Sequence, residues 1–229
     1  MRILALVTAR AGSKRLPGKN TRLLGGHPLL TWSIDAVRGI PDICDILVST
    51  DDEAIAGIAR TAGALVPWLR PAALSGDTAT SVDVALHALD RYEAESGRVE
   101  GLLLLQPTSP FRSRETIIAG IAAFQKGQAR PVVGFSPAQS HPLWCFRIEN
   151  DRAHPFCQEG GLHLRSQTLP PAHIVNGAFY LIAPQDLRAN RSFYSDDMLP
   201  LIMDDPREGL DIDTQWDWDM AEALIGMGK

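Results

Sequence analysis

No apolar run in this 229-residue chain is longer than a strand. None can cross a bilayer, which takes about 20 such residues. The N-terminus passes straight into a strand pattern with no cleavable-signal layout, so a cytoplasmic protein is expected. Cysteine is scarce: Cys44, Cys145 and Cys157 form an odd, widely spaced set with no C-x-x-C pair. That argues against structural zinc and against a disulfide framework. Low-complexity tracts and internal repeats are absent. A net charge of −5, with no basic face interleaved with aromatics, disfavours a nucleic-acid partner. The dinucleotide pattern G-x-G-x-x-G is missing, and so is the P-loop: five residues separate Gly12 from Gly18, and Asn20 follows Lys19. No Ser/His/Asp or Cys/His arrangement calls for covalent catalysis.

The most informative absence is local. No carboxylate precedes Asp35, whereas Arg2, Arg10, Lys14, Arg15, Lys19 and Arg22 all do. Positive charge is thus concentrated at one end of an acidic protein, which favours a local anion site over general polyanion affinity. The cations lie around the loop 8–20, which follows the apolar run 3–7. A buried strand feeding a cation-rich loop with Gly12 and Gly18 suits a polyphosphate, because small residues admit the backbone while amides and cations meet the charge. Arg15 and Arg22 are read as surface cations.

What remains is a globular composition, with 45% hydrophobic and 21% charged residues, enough for one large domain with a core. Strands are expected at 2–9, 43–50, 64–68, 101–106, 131–135, 176–183 and 199–203. Helices are expected at 28–39, 53–62, 78–95, 113–125 and 214–227, with Val82, Leu86 and Leu89 inward in the third. Gly63 is expected to close the second helix, Ser113 to cap the fourth, and Thr214 with Asp217 to open the last. Strands alternating with helices predict an α/β fold, a doubly wound, mostly parallel sheet covered on both faces in three layers. Ligands in such sheets sit beyond the carboxyl ends of the strands, where Arg10, Ser49 to Asp52 and Gln106 to Thr108 would converge. Residues 137–175 break the rhythm with Pro137, Pro142, Pro155, Gly160, Gly161, Pro170 and Pro171. Trp144, Phe146 and Phe156 make this a protruding excursion within a single domain 1–229. It is too apolar to stand free in water and is expected to pack on a second copy.

The loop Ala9-Arg10-x-Gly12-Ser13-Lys14-x-x-Pro17-x-Lys19-Asn20 resembles the nucleotide-binding motif of the sugar-acid cytidylyltransferases, which make CMP-activated nonulosonates. Further stations follow in the order of that family: Val48 to Asp51, Leu69-Arg70-Pro71 with Asp77-Thr78 and Ser81, Leu105 to Arg112, His141-Pro142, Arg165-x-Gln167, Asn176 to Tyr180, and Asp211-Ile212-Asp213-Thr214. The resemblance runs through the whole chain and implies a Rossmann-like nucleotidyltransferase acting on CTP and a nine-carbon sugar acid. It further implies a homodimer whose arm completes the neighbour's sugar site.

In that reading Arg10, Lys14 and Lys19 stabilise the triphosphate and the charge that develops on transfer. Ala9, Arg10, Gly12, Ser13, Lys19, Asn20, Arg70, Ser81 and Gln106 hold the nucleotide. Gln106, Arg165, Gln167 and Tyr180 face the sugar acid, Arg165 as carboxylate clamp. Asp211 and Asp213, two apart in an extended segment, share a face and suit Mg²⁺, which takes few protein ligands. The hydroxyl's base is left open between Asp211 and a metal-bound hydroxide, and His141 between a structural and a functional role. Ser166, His173-Ile174 and Trp144 depart from the sialic-acid members, where cations or an aromatic are common. That loss of cations points to a more apolar acid, such as legionaminic or pseudaminic acid. The rivals are CMP-Kdo synthesis and a catalytically silent nucleotide-binding module.

Overall fold

A computed structural model of the protein describes residues 1–157 and 164–227. Its centre is β1 (Ile3–Thr8), whose alternation decides the layering. Ile3, Ala5 and Val7 point to one face, Leu4 and Leu6 to the other, and all five are fully buried. A strand buried on both faces needs a paired edge on each side and helices above and below. β4 (Ile43–Ser49) and β5 (Gly101–Leu105) flank β1 in parallel, with Val7 opposite both Val48 and Leu105.

The chain then departs from a purely parallel plan. β6 (Val132–Pro137) does not pair with β5; β9 (His173–Ile182) lies between them, antiparallel to both. β10 (Leu199–Ile202) closes the edge parallel to β6, giving the order β10-β6-β9-β5-β1-β4. Helices α1 (Leu29–Val37), α2 (Glu53–Thr61) and α4 (Arg114–Lys126) cover one face through Ile34, Ile55, Ile121 and Phe124. Helices α3 (Ser81–Ser96) and α5 (Pro184–Asn190) cover the other through Leu89, Tyr92 and Leu187. Each such aliphatic or aromatic side chain contributes about 1.5–3 kcal/mol by leaving water. A third cluster joins Leu16 of the cation-rich loop to Ile212 and to Trp218 of α6 (Gln215–Met227). It also holds Leu24 of the small hairpin β2 (Leu23–Leu24) and β3 (His27–Pro28).

The expected three-layer, mostly parallel fold is present, with local corrections. Residues 64–68 form a single parallel bridge, Leu47 to Leu65, because Pro67 removes the next donor. α3 starts at Ser81, not 78, since the Thr80 hydroxyl accepts from the Asp83 amide and caps it there. Its buried face is Val84, Ala85, Ala88, Leu89 and Tyr92, with Val82 and Leu86 only partly covered. The caps at Ser113 and Asp217 form as expected, and Gly63 follows α2 with φ +84°. Arg22 is not a free surface cation: it donates to Gln215 at 2.8 Å and lies over the Trp218 ring at 4.2 Å.

The excursion leaves from β6 and returns into β9, both at the carboxyl side of the parallel strands. Within it β7 (Phe146–Glu149) and β8 (Arg152–Pro155) make an exposed hairpin. His141 is structural there: Nδ1 accepts from the Leu143 amide, and Nε2 lies 3.1 Å from the Pro170 carbonyl. Residues 158–163, with Gly160 and Gly161, lie outside the described residues.

Candidate active site

The loop after β1 is built to stay open. Gly18 takes φ +68°, a conformation that costs any other L-residue about 1–2 kcal/mol. Leu16 anchors the loop in the α6 cluster, and the Asn20 amide donates to the Arg10 carbonyl at 2.9 Å, tying its two ends together. Lys19, 8% exposed, reaches across to the Ile212 carbonyl at 2.7 Å and to Asp213 at 2.9 Å. The Ile212 amide in turn donates to the Thr108 carbonyl at 2.8 Å. Three segments distant in sequence are thereby fixed around one space.

That space is a cavity of about 670 Å³. Thr8, Gln106 and Thr108 form its floor at the strand ends, and Arg10, Ser13, Lys14, Arg15, Lys19, Asn20, Ser81 and Asp213 its walls. All four wall cations meet carboxylates. Arg10 lies 3.1 Å and Lys14 2.5 Å from Asp77, while Lys19 lies 2.9 Å and Arg15 3.1 Å from Asp213. A side chamber of about 240 Å³ is lined by Arg70, Ser81, Arg10 and Asp77. Arg70 is 6% exposed, and its Nε and one Nη have no hydrogen-bond partner. Burial lowers its pKa, and Asp51, 3.7 Å away, opposes that. Buried, unpaired guanidinium N–H groups beside a chamber are donors waiting for an acceptor.

A larger cavity of about 1000 Å³ adjoins the first at Gln106. Its walls are mainly apolar, with Pro137, Ile174, Val175, Tyr180, Tyr194 and Met203, and Asp211 faces it. Tyr180 and Tyr194 place their hydroxyls 3.3 Å apart, and burial raises the Tyr180 pKa. Gly177, at φ +76°, lies so near that a Cβ there would sit 3.4 Å from Gln106 Oε1. Between the cavities Ile212 is fully buried, while Asp213 lines the first cavity and Asp211 the second. Solvent reaches Asp211 through the cavity mouth, yet protein crowds it on the other sides. That crowding raises its pKa, a Thr108 hydrogen bond opposes the rise, and the charge of Asp213 adds to it.

The structure therefore gathers Arg10, Ser13, Lys14, Lys19, Asn20, Ser81, Gln106 and Asp213 at one cavity. It places Arg70 beside them, and Tyr180 and Asp211 across the junction. Ala9 is buried, with its amide donating to the Ser49 carbonyl, so it braces the loop from below. Gly12 is exposed at the rim. Arg165 and Gln167 are exposed on the excursion and line none of these cavities.

Two contributors, Asp77 and Arg112, are not among the site residues of the sequence reading, and Asp51, expected at the strand ends, has a role that reading did not give it. Asp77 grips two loop cations. Asp51 accepts from the Ala11 amide at 3.1 Å. Arg112, 4% exposed, donates to Ser33 at 2.8 Å and to the Gln106 carbonyl, holding the 106–112 turn from behind. Their positions in matched segments were visible, but the loop groups that Asp51 and Asp77 meet lie 40 or more residues away and are set by the sheet order.

A sequence profile described as Cytidylyltransferase matches residues 4–141. The CMP-N,N'-diacetyllegionaminic acid synthase of Legionella pneumophila is 38% identical over 239 aligned positions, covering 100% of this chain and 98% of that protein. The N-acylneuraminate cytidylyltransferase of Streptococcus agalactiae serotype III is 33% identical over 85% of this chain, which spans 46% of that longer relative. The solved structure of a CMP:2-keto-3-deoxy-manno-octonic acid synthetase complexed with CTP superposes over the full length of both chains. Its TM-score of 0.73 at 14% identity speaks to fold alone. With the profile covering more than half of the chain and a relative aligned from end to end, the chain belongs to the cytidylyltransferase family.

Proposed function

We propose that this enzyme transfers the cytidylyl group of CTP to the anomeric hydroxyl of a nine-carbon, acylamino-bearing sugar acid of the legionaminic type, releasing pyrophosphate. The observation that carries this reading is the meeting of a cation-lined cavity with a larger, mainly apolar one at Gln106, with Asp213 lining the first and Asp211 the second. Cytosine would enter the side chamber, where Arg70 and Ser81 offer donors. The triphosphate would lie along Arg10, Lys14 and Lys19, with Asn20 fixing the loop beneath it. The sugar acid would stand in the larger cavity against Tyr180, its hydroxyl turned toward the α-phosphorus. One P–O bond then forms as the bond to the β-phosphate bridge breaks, and the loop cations offset the charge leaving on pyrophosphate.

Asp211 and Asp213 suit Mg²⁺. Among the described residues no cluster of three or more His, Cys, Asp or Glu could hold a metal. Two hard carboxylates beside a triphosphate, with water and phosphate completing the shell, are the donor set this ion takes. Bound there, Mg²⁺ would supply Lewis-acid stabilisation of the phosphate oxygens. Asp213 would have to loosen from Arg15 and Lys19, which then face the phosphates. Asp211 also stands where it could take the hydroxyl's proton.

The legionaminic type is favoured over sialic acid by Ile174, Val175 and Met203 in the larger cavity and by the end-to-end likeness to the Legionella enzyme. A homodimer is part of the proposal. Ile148, Phe156 and Ile174 are 71%, 65% and 59% exposed in this chain. Packing the excursion on a second copy would cover them and bring Arg165 and Gln167 to the neighbour's acid. The three cysteines are free, which suits a reducing, cytoplasmic setting.

The test is pyrophosphate release with CTP and Mg²⁺ against sialic, legionaminic, pseudaminic and Kdo acids. Release is expected with the legionaminic acid, falling at least about a hundredfold in Asp211→Ala. Release with Kdo alone would overturn the nine-carbon assignment, and silence across the panel would overturn the reaction.

A further inference from the structure

Asp77 stands apart from the other carboxylates at the nucleotide cavity. Its Oδ1 is 3.1 Å from Arg10 and its Oδ2 is 2.5 Å from Lys14, so each oxygen meets a different loop cation. The side chain is half exposed and does no capping, because Thr80 caps α3. The same two cations hold its carboxyl below the usual carboxylate range, Lys14 more than Arg10. Arg10 Nη1 also reaches the Ser75 carbonyl at 3.5 Å, so the segment 75–77 is clasped to the loop. Asp213 also pairs with two cations at this cavity, but it has a proposed metal to turn to. For Asp77 the structure shows no other partner among the described residues.

We infer that Asp77 is a built-in competitor for the nucleotide's phosphates and sets the affinity and ionic selectivity of the loop. This rests on the reading of the loop cavity as a triphosphate site. Two like charges at Arg10 and Lys14 repel in an empty cavity, and one carboxylate between them keeps them converged. A singly or doubly charged anion gains little by displacing an intramolecular partner already in place. A triphosphate, with more charge and several oxygens, displaces it and takes over both cations. After transfer, pyrophosphate carries fewer contacts than the intact nucleotide, and Asp77 returns to the cations as it leaves. The residue thus weakens every phosphate ligand, the product included, and because it also borders the base chamber its effect is read as a difference between ligands with and without phosphate. It is a positioning residue, not a catalytic one.

The experiment is calorimetric binding of CTP, inorganic tripolyphosphate and cytidine to the intact wild-type protein, Asp77→Asn and Asp77→Glu. In Asp77→Asn, CTP and tripolyphosphate should bind about fivefold more tightly at low salt, the scale of two exposed ion pairs. The difference should shrink as salt rises. Cytidine, which brings no phosphate, should gain far less than CTP in Asp77→Asn, and Asp77→Glu should behave as wild type. In turnover, Asp77→Asn should lower the KM for CTP without raising kcat, and pyrophosphate should inhibit at lower concentration. Unchanged or weaker phosphate binding in Asp77→Asn would overturn the inference, as would an equal gain for cytidine. Failure of wild type to bind CTP would overturn the nucleotide reading instead, and the tripolyphosphate arm would still decide the role of Asp77.

Discussion

Asp211, the residue proposed to hold the metal or take the proton, works against the fold that carries it. Protein crowding raises its carboxyl pKa, and Asp213 adds to the rise after Thr108 has drawn it down. A carboxyl with a folded pKa above its unfolded value binds more protons in the native state. Stability therefore falls as pH rises from the ordinary carboxylate range through the raised folded pKa. Asp211→Asn removes that loss. Its melting temperature should exceed that of wild type at neutral pH, while pyrophosphate release disappears. The gap should close at pH values below the ordinary carboxylate range, where wild-type Asp211 is protonated too. A lower melting temperature at neutral pH would mean that the Thr108 contact outweighs the crowding. At this scale part of the site was legible in the chain: Arg10, Lys19 and Gln106, named from their motifs, line one cavity, whereas Asp211 and Asp213 line different ones. Arg70 too was named from its motif, but its burial and the grip of Asp77 were not readable, because no spacing rule tells which distant cation a surface carboxylate will meet.

Helix α6 illustrates the same interplay in a whole element. The Asp217 carboxylate accepts from the Asp213 amide at 3.0 Å, the Thr214 amide at 2.7 Å and the Thr214 hydroxyl at 2.8 Å. Burial alone would raise its pKa, but these hydrogen bonds prevail and hold it below the ordinary value. A depressed carboxyl contributes stability that is present above the unfolded pKa and lost as pH falls through the folded one. Asp217→Ala should lower stability by about 1 kcal/mol at neutral pH, the usual loss of a helix cap. Denaturant unfolding would show it, and the difference should vanish in acid. Because the same cap fixes the Asp213 amide, the variant should also need more Mg²⁺ for half-maximal turnover. This cap was readable from Thr214 and Asp217 alone, as were the apolar strands 3–7 and 101–105. The strand expected at 64–68 was not realised, and β9 was readable as a strand but not as an antiparallel one. Periodicity reports which residues are buried and is blind to strand direction.

At the scale of the whole molecule, the excursion carries well-exposed apolar side chains at Ile148, Phe156 and Ile174. If it seats on a second copy, the double variant Ile148→Asp with Phe156→Asp should sediment as a monomer where wild type sediments as a dimer. It should keep CTP binding while losing turnover of the sugar acid, because the nucleotide cavity is built within one chain. A monomeric wild type with full turnover would sink the shared-site arrangement. The position of β9 has a further consequence, for the protein as it is made. β1, β4 and β5 can pair as soon as residue 105 has left the ribosome, yet β6 has no place to dock until β9, ending at Ile182, arrives between it and β5. From one strand to the other the growing chain carries a bare edge on β5, of the kind that recruits other chains. The floor of the first cavity, at Thr8, Gln106 and Thr108, is therefore made early in synthesis, and the sheet that supports it is sealed only when most of the chain has been made.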